Sequence, residues 1–166
     1  MAKTRVLRAV GYWKTDREGC PYPDPRLLVQ PGWHADELDR ILAYLRAGRE
    51  FMTWDGYSYC RFGCRDRFED PIHAEVEDMG VSDRFDGVWI WPEGLAHYVE
   101  RHSVRLPEEF VDHMRSRSWV VPDERVLWEV LIEDDEEEGE DHTFWIAWGK
   151  RESSGGLAVD RPDGAL

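Results

Sequence analysis

Long apolar runs are missing from this sequence, since no stretch approaches the 18 or so residues that a membrane-spanning helix needs. The opening segment, "MAKTRVLRAVGYW", has basic residues but no sustained apolar region, so we expect no secretory signal. Cysteine is scarce, with three residues. An odd number of thiols in a chain without a signal is typical of the reducing cytoplasm, where we place the protein.

Positive charge is also scarce. The net charge is −14 and the isoelectric point is near 4.8. Such a field repels phosphate backbones, which argues against nucleic-acid binding and favours a basic partner. Lysine is rare relative to arginine, 3 against 18, a usage associated with GC-rich bacterial genomes. We therefore expect a bacterial protein with no nucleic-acid or membrane role.

Familiar catalytic motifs are absent as well. The sequence has no H-E-x-x-H, no zinc-deaminase pattern, no G-x-S-x-G, no phosphate-binding glycine loop and no dinucleotide-binding fingerprint. These absences remove the common metalloprotease, deaminase, serine-hydrolase and nucleotide-binding classes. An enzyme remains possible only through a constellation without a standard motif.

Three helices are predicted from apolar spacing and end signals. Residues 35–47 place apolar side chains at i, i+3, i+4 and i+7 and are followed by Gly48. A second helix begins near Pro92, because proline is favoured in a first helical turn. A third begins at Pro107, with acidic residues in its first turn and arginines in its last.

Short strands are predicted around these helices. Residues 3–13 and 87–91 are rich in β-branched and aromatic residues, and 50–62 surrounds an Asp55-Gly56 turn pair that favours a hairpin. Residues 65–85 are predicted as a long loop. A second hairpin is predicted from the strand-like segments "VLWEVLI" (126–132) and "TFWIAWG" (143–149).

The mixture of elements, without regular βαβ alternation, predicts an α+β fold in which helices pack on short antiparallel strands. At 166 residues the chain favours one domain. We assign residues 1–150 to that domain and predict that 151–166 form a disordered tail.

Two cysteines and two histidines have spacings that indicate a metal site. Cys60 and Cys64 lie in "YCRFGCR", and His97 and His102 lie in the helix that follows "WPEG". Zinc prefers four nitrogen or sulfur ligands, so we predict a zinc-finger-like cluster of these residues. Residues five apart on an ideal helix point about 140° apart, so both histidines reach one ion only if the helix loosens near His102.

Each of these residues also has an ordinary structural interpretation. Cys60 can be a small buried apolar residue, and His102 can complete the apolar stripe of its helix. His97 can pair with Glu93 one turn earlier. A disulfide between the two cysteines is less favoured in a reducing compartment.

The segment "DGVWIWPEGLAHYVERHSVRLPEEFV" (86–111) resembles a family of small uncharacterised bacterial proteins. That family carries a W-P-E-G-L-A-H-Y-V…H…V-x-L-P-x-x-F core, preceded by a G-Y-S-x-C-R-x-C-like turn. The resemblance extends over about residues 10–113 and implies that Cys60, His97 and His102 match the family's polar positions. The turn "CRFGC" has one residue more than the family pattern, which leaves Cys64 outside the match. No activity is implied.

Two functions from different classes follow from these features. In one, the protein is a small zinc-dependent hydrolase in which Cys60, His97 and His102 hold the metal and Glu93 acts as general base. In the other, it is a non-enzymatic adaptor-like, immunity or antitoxin protein. We prefer the second, because glutamate is common in the first turn of any helix.

The adaptor-like hypothesis includes a predicted partner-binding surface on the C-terminal hairpin. Acidic residues fill most of 133–141 and would attract a basic protein partner, while tryptophans on both strands would frame the contact. The alternative is a solvated loop between two strands of the core. The predicted surface consists of Trp128, Glu133, Asp134, Asp135, Glu136, Glu137, Glu138, Trp145 and Trp148.

Overall fold

The protein is described by a computed structural model. The structure describes residues 6–56, 58–64, 79–123, 125–127 and 139–155. Helices and a five-stranded mixed sheet form a single small domain, which confirms the predicted α+β class. Among the described residues, no helix has the length and apolar character needed to cross a membrane.

The sheet has the strand order β2-β3-β4-β1-β5. Its strands are β1 (Val6–Ala9), β2 (Arg49–Thr53), β3 (Ser82–Phe85), β4 (Trp89–Pro92) and β5 (Gly139–Asp141). The β2-β3-β4 half is antiparallel, whereas β1 runs parallel to both of its neighbours. The sheet is therefore mixed rather than wholly antiparallel. The strands of each parallel pair, β1 with β4 and β1 with β5, are far apart in the sequence, as parallel pairing requires.

Four helices pack around this sheet: α1 (Leu38–Ala47), α2 (Leu95–His102), α3 (Glu108–Ser116) and α4 (Thr143–Gly155). A short 3-10 helix, Pro25–Leu28, lies against α4. Helix α1 packs against both α2 and α3, and its apolar stripe supplies buried residues to the core, as its spacing predicted. The predicted strands at 3–13 and 87–91 correspond to β1 and β4. The predicted start of the second helix at Pro92 is wrong, because Pro92 ends β4 and α2 begins at Leu95.

Aromatic residues make up much of the main core. Trp89, Trp91 and Trp145 are fully buried, and the rings of Trp89 and Phe110 lie 4.9 Å apart. The indole of Trp91 donates a hydrogen bond to the carbonyl of Leu45, which satisfies its buried N–H. The abundance of tryptophan is thus largely explained by packing.

A buried carboxylate ties three elements together at the centre of the fold. The side chain of Asp86 is fully buried, in the turn between β3 and β4. One oxygen accepts hydrogen bonds from the N–H groups of Val88 and Trp89. The other accepts from the Tyr44 hydroxyl at 2.7 Å and from Nε2 of His113 at 2.9 Å. Burial alone would raise the pKa of Asp86, but these donors outweigh it and lower the pKa.

The predicted C-terminal hairpin is wrong. Residues 143–149 begin helix α4 rather than a strand, and residues 125–127 form a helical turn. The rest of the predicted strand 126–132 lies outside the described residues. Helix α4 continues to Gly155, so the first five residues of the predicted tail are helical, and 156–166 lie outside the description.

The predicted hairpin around Asp55-Gly56 is also wrong. Strand β2 ends at Thr53 and pairs with β3, which comes from the segment predicted as a loop. Residues 58–60 form no strand, and the rest of the predicted loop, 65–78, lies outside the described residues. The chain leaves the sheet at Trp54, whose N–H donates to the carbonyl of Val81.

Gly80 occupies a position that strongly restricts side chains. Its φ is +62°, and an added Cβ would collide with the carboxylate of Glu93. We expect Gly80→Ala to lower the free energy of unfolding by roughly 2–4 kcal/mol, measured by urea denaturation. The matched control is Gly19→Ala, where φ is +74° but no atom lies near the added Cβ. Its expected loss is about 1 kcal/mol, and equal losses in both variants would contradict the steric argument.

Candidate metal centre

The two cysteines lie in a tight turn that directs both thiols to one side. The N–H of Gly63 donates to the carbonyl of Cys60 at 3.1 Å, and Gly63 has a φ of +76°. Glycine adopts this conformation without steric cost, so the chain reverses and returns Cys64 towards Cys60. The N–H of Phe62 also donates to Sγ of Cys60 at 3.4 Å. The extra residue in C-x3-C is thus accommodated within the turn.

The two histidines come from the last two turns of α2. The carbonyl of Tyr98 accepts hydrogen bonds from the N–H groups of Ser103 and Val104, five and six residues later rather than four. This end of the helix is therefore wider than an α-turn. Ser103 then adopts left-handed geometry with φ of +52°. The loosening expected near His102 is present, and the imidazole centroids of His97 and His102 lie 5.2 Å apart.

The cysteine turn is held against α2 by Tyr98 and Phe62. The hydroxyl of Tyr98 accepts a hydrogen bond from the N–H of Arg61 at 3.0 Å and donates to the carbonyl of Tyr59 at 3.4 Å. The Phe62 ring stacks on His102, with centroids 4.0 Å apart and planes 5° apart. These contacts fix the turn and one imidazole relative to each other. Sequence patterns did not indicate either role.

The four predicted ligands meet in one cluster. One ligand atom from each of Cys60, Cys64, His97 and His102 lies within 4.8 Å of the other three. Nε2 of His102 is 3.4 Å from Sγ of Cys60 and 3.1 Å from Sγ of Cys64. A tetrahedral zinc ion with bonds of about 2.0–2.3 Å separates its ligand atoms by about 3.3–3.8 Å, so small adjustments would admit the ion.

The chemistry of the cluster suits a metal ion. Cys60 and His97 are buried, whereas Cys64 and His102 are partly exposed, which leaves a path for an ion to enter. None of the three cysteines forms a disulfide bond. The pKa of His102 is lowered by burial and by the nearby His97 and Arg101, which favours the neutral imidazole that binds metals. The sequence-based prediction that these four residues come together is confirmed, and the cluster could hold a metal ion.

Glu93 is not arranged as a general base for this cluster. Its carboxylate forms an ion pair with Arg84 at 2.6 Å and accepts hydrogen bonds from the N–H of Val81 and the hydroxyl of Ser82. Burial tends to raise the pKa of Glu93, but Arg84 and Ser82 outweigh it and lower the pKa. A low pKa and engaged oxygens disfavour proton abstraction at neutral pH.

The predicted partner-binding tryptophans require a correction. Trp145 is 0% exposed and Trp148 is 5% exposed, and their rings stack 5.2 Å apart. Both are buried because α4 packs its tryptophan face onto the core, so neither indole is available to a partner. Trp128 and residues 133–138 lie outside the described residues. Glu140 and Asp141 lie at the edge of the sheet in β5.

The chain matches no family model, no curated protein and no solved structure. The resemblance of residues 86–111 to a bacterial family stays a prediction. The interpretation of the metal centre therefore depends on its own geometry.

Proposed function

We propose that the protein is a non-enzymatic, zinc-stabilised cytoplasmic protein that acts by binding a basic protein partner. In this proposal the metal holds the fold together, and the acidic charge selects the partner. Immunity and antitoxin proteins have this size and charge, because they cover basic toxin surfaces. The zinc assignment depends on the Cys/His cluster, and the partner assignment depends on the acidic charge of the chain.

The convergence of four protein ligands is the observation that carries the zinc assignment. Two thiols and two imidazoles would complete the tetrahedron of a zinc ion without a water molecule, as in structural zinc sites. Sulfur and imidazole nitrogen together favour zinc over magnesium or calcium, which prefer oxygen ligands. A zinc ion here would join the cysteine turn to the end of α2.

The same geometry weakens the hydrolase alternative. A catalytic zinc site has three protein ligands, a water molecule and a base within reach of that water. Cys64 is within 3.1 Å of the His102 nitrogen and would take the fourth position. The carboxylate of Glu93, the proposed base, is engaged by Arg84. We therefore favour a structural metal and a binding function.

Charge supports a basic partner. The net charge of −14 would attract a cationic surface over a distance of several ångströms and raise the association rate. Six consecutive acidic residues, 133–138, carry a large share of that charge. Contacts of this kind weaken as salt screens them.

To test the partner proposal, a partner is first captured on immobilised wild-type protein and purified. Its dissociation constant is then measured at several salt concentrations. We expect a basic protein whose dissociation constant rises about tenfold or more between 0.05 and 0.3 M salt. A variant in which every Glu of 133–138 is changed to Gln and every Asp to Asn is expected to bind the partner about tenfold more weakly. Its control carries Asp16→Asn, Asp36→Asn and Asp39→Asn at other exposed positions. An acidic partner, or a salt-independent affinity that the amide variant retains, would overturn the proposal.

A further inference from the structure

A large cavity is lined in part by residues that neighbour the candidate metal ligands in the sequence, among them Tyr59, Arg61 and Tyr98. Its volume is about 870 Å³, within the range of small-molecule sites. The walls come from the loop after β1 (residues 11–22), from residues 54, 56, 58, 59 and 61, and from the starts of β3 and α2. Tyr59 and Arg61, beside and within the cysteine turn, contribute to one wall, whereas none of the four candidate metal ligands lines the cavity.

Aromatic rings line much of the cavity, and one of them is unusually exposed. Trp54 is 54% exposed at the cavity, and its indole N–H donates to the carboxylate of Asp83 at 3.1 Å. The cavity wall also includes Tyr12, Tyr22 and Tyr59. Aromatic faces carry partial negative charge and attract cations, and their apolar area favours a carbon chain.

Asp83 places a carboxylate in this aromatic wall. The residue is 2% exposed and lies in β3. Among the described residues no cationic side chain forms an ion pair with Asp83. Burial, with a smaller contribution from the charge of Glu140, raises the pKa of Asp83 to about 6. Hydrogen bonds from the Trp54 N–H and the Tyr12 hydroxyl act in the opposite direction and offset part of this rise. A buried carboxylate without a counter-ion is costly, and such groups are concentrated at functional sites.

Arg61 on the cavity wall and the nearby His142 are engaged by other groups. The guanidinium of Arg61 lies 4.3 Å over the ring of Tyr59 and donates to the carbonyl of the same residue at 2.8 Å. His142 is held between the Tyr22 hydroxyl at 3.2 Å and the Glu140 carboxylate at 2.8 Å. Because Asp83 has no ion pair among the described residues, its charge is left for a group that enters the cavity.

We propose that this cavity binds an organic ammonium ion with an apolar chain, with the Asp83 carboxylate as its counter-ion and Trp54 beside its cationic head. A bound cation would compensate for the hydration that the carboxylate loses on burial. The aromatic wall would cover the carbon chain of the ligand. Small amines and lysine side chains both carry such a group. The site goes beyond the proposed partner-binding function and requires neither the zinc assignment nor the acidic segment.

Calorimetric titration of the full chain with three probes tests the proposal. The probes are n-hexylamine, lysine capped at both its amino and carboxyl groups, and hexanoate, an anion with as many carbon atoms as the first probe. We expect at least one cation to bind wild type near neutral pH and hexanoate not to bind. Binding of capped lysine alone would identify a polypeptide source, and binding of hexylamine alone would identify a free amine.

Two variants separate the Asp83 site from general charge attraction. Asp83→Asn keeps the shape of the side chain and is expected to weaken cation binding about tenfold or more. Asp16→Asn makes the same change at an exposed position of the cavity wall and is expected to alter affinity less than about twofold. If Asp83→Asn does not fold, Trp54→Ala serves instead, because Trp54 is largely exposed, and an affinity loss of about threefold or more is expected.

The proposal is overturned by any of three results. These are no binding of either cation to wild type, equal binding of hexanoate, and cation binding that the Asp83 or Trp54 variant leaves unchanged. A failure of the partner experiment has no bearing on these titrations, because they use purified protein and small probes. A failure here likewise leaves the partner proposal intact.

Discussion

Cys64→Ser is expected to lose the bound zinc and about 4 kcal/mol of the free energy of unfolding. A ligand present at a thousand times its dissociation constant stabilises the folded state by about this amount. The serine hydroxyl is a poor zinc ligand, so the cluster would have three good ligands instead of four. For a protein of this size the melting temperature should fall by about 10 °C. Zinc content and thermal unfolding are measured on the same preparation.

Cys20→Ser is the matched control for this prediction. It makes the same atomic change at a partly exposed cysteine outside the metal cluster. We expect it to keep one zinc ion per chain and to melt within about 2 °C of wild type. Full zinc occupancy and an unchanged melting temperature in Cys64→Ser would contradict the four-ligand site.

Asp86→Ala is expected to destabilise the protein by roughly 3–5 kcal/mol, because it leaves two buried and two partly buried donors without an acceptor. Urea denaturation at neutral pH measures the loss. The control is Asp112→Ala on α3, whose exposed carboxylate pairs with Arg115 at the surface. Its expected loss is below about 1 kcal/mol. Similar losses in both variants would contradict the central role of Asp86.

The effect of Asp86 also has a defined pH dependence. Because the folded protein lowers the pKa of Asp86, its carboxylate stabilises the fold above the ordinary pKa of about 3.9. This stabilisation is lost as the pH falls through the pKa of Asp86 in the folded protein, which lies below its ordinary value. The difference between wild type and Asp86→Asn should therefore be constant above about pH 5 and narrow below about pH 4. A difference that grows in acid would contradict the assignment.

The metal ligands could be predicted from the sequence because their signals are local. Two cysteines with three residues between them and two histidines on one helix each form a short pattern, and the apolar stripe predicted that helix. The contacts that hold the cysteine turn against α2 could not be predicted in the same way. The stacking of Phe62 on His102 and the hydrogen bond from Arg61 to Tyr98 depend on a docking that no spacing encodes.

The C-terminal helix was missed for a different physical reason. "TFWIAWG" is rich in β-branched and aromatic residues, which favour a strand, but short apolar runs do not distinguish a strand from a buried helix. Two local signals favour the helix. Trp145 and Trp148 are three residues apart and share its buried face, and Asp141 accepts a hydrogen bond from the N–H of Thr143 at its start.

Strand β3 and Asp86 illustrate a limit of local patterns. Residues 82–85 are polar and charged in part, yet they pair with β2 across a long separation in sequence. A buried aspartate gives no periodic signal, since its stability comes from donors on α1 and α3 that the sequence places far away. Asp83 in the cavity likewise gives no periodic signal, and its hydrogen-bond donor, the indole of Trp54, is distant in the sequence.

X-ray absorption spectroscopy at the zinc edge of the purified protein is the most direct test of the closed metal site. We predict one zinc ion per chain with two sulfur neighbours at about 2.3 Å and two imidazole nitrogens at about 2.0–2.1 Å. Such a spectrum would assign all four ligands to the protein. An oxygen neighbour from water with only one sulfur would contradict the closed site, and a protein that takes up no zinc after reconstitution would contradict the metal centre itself.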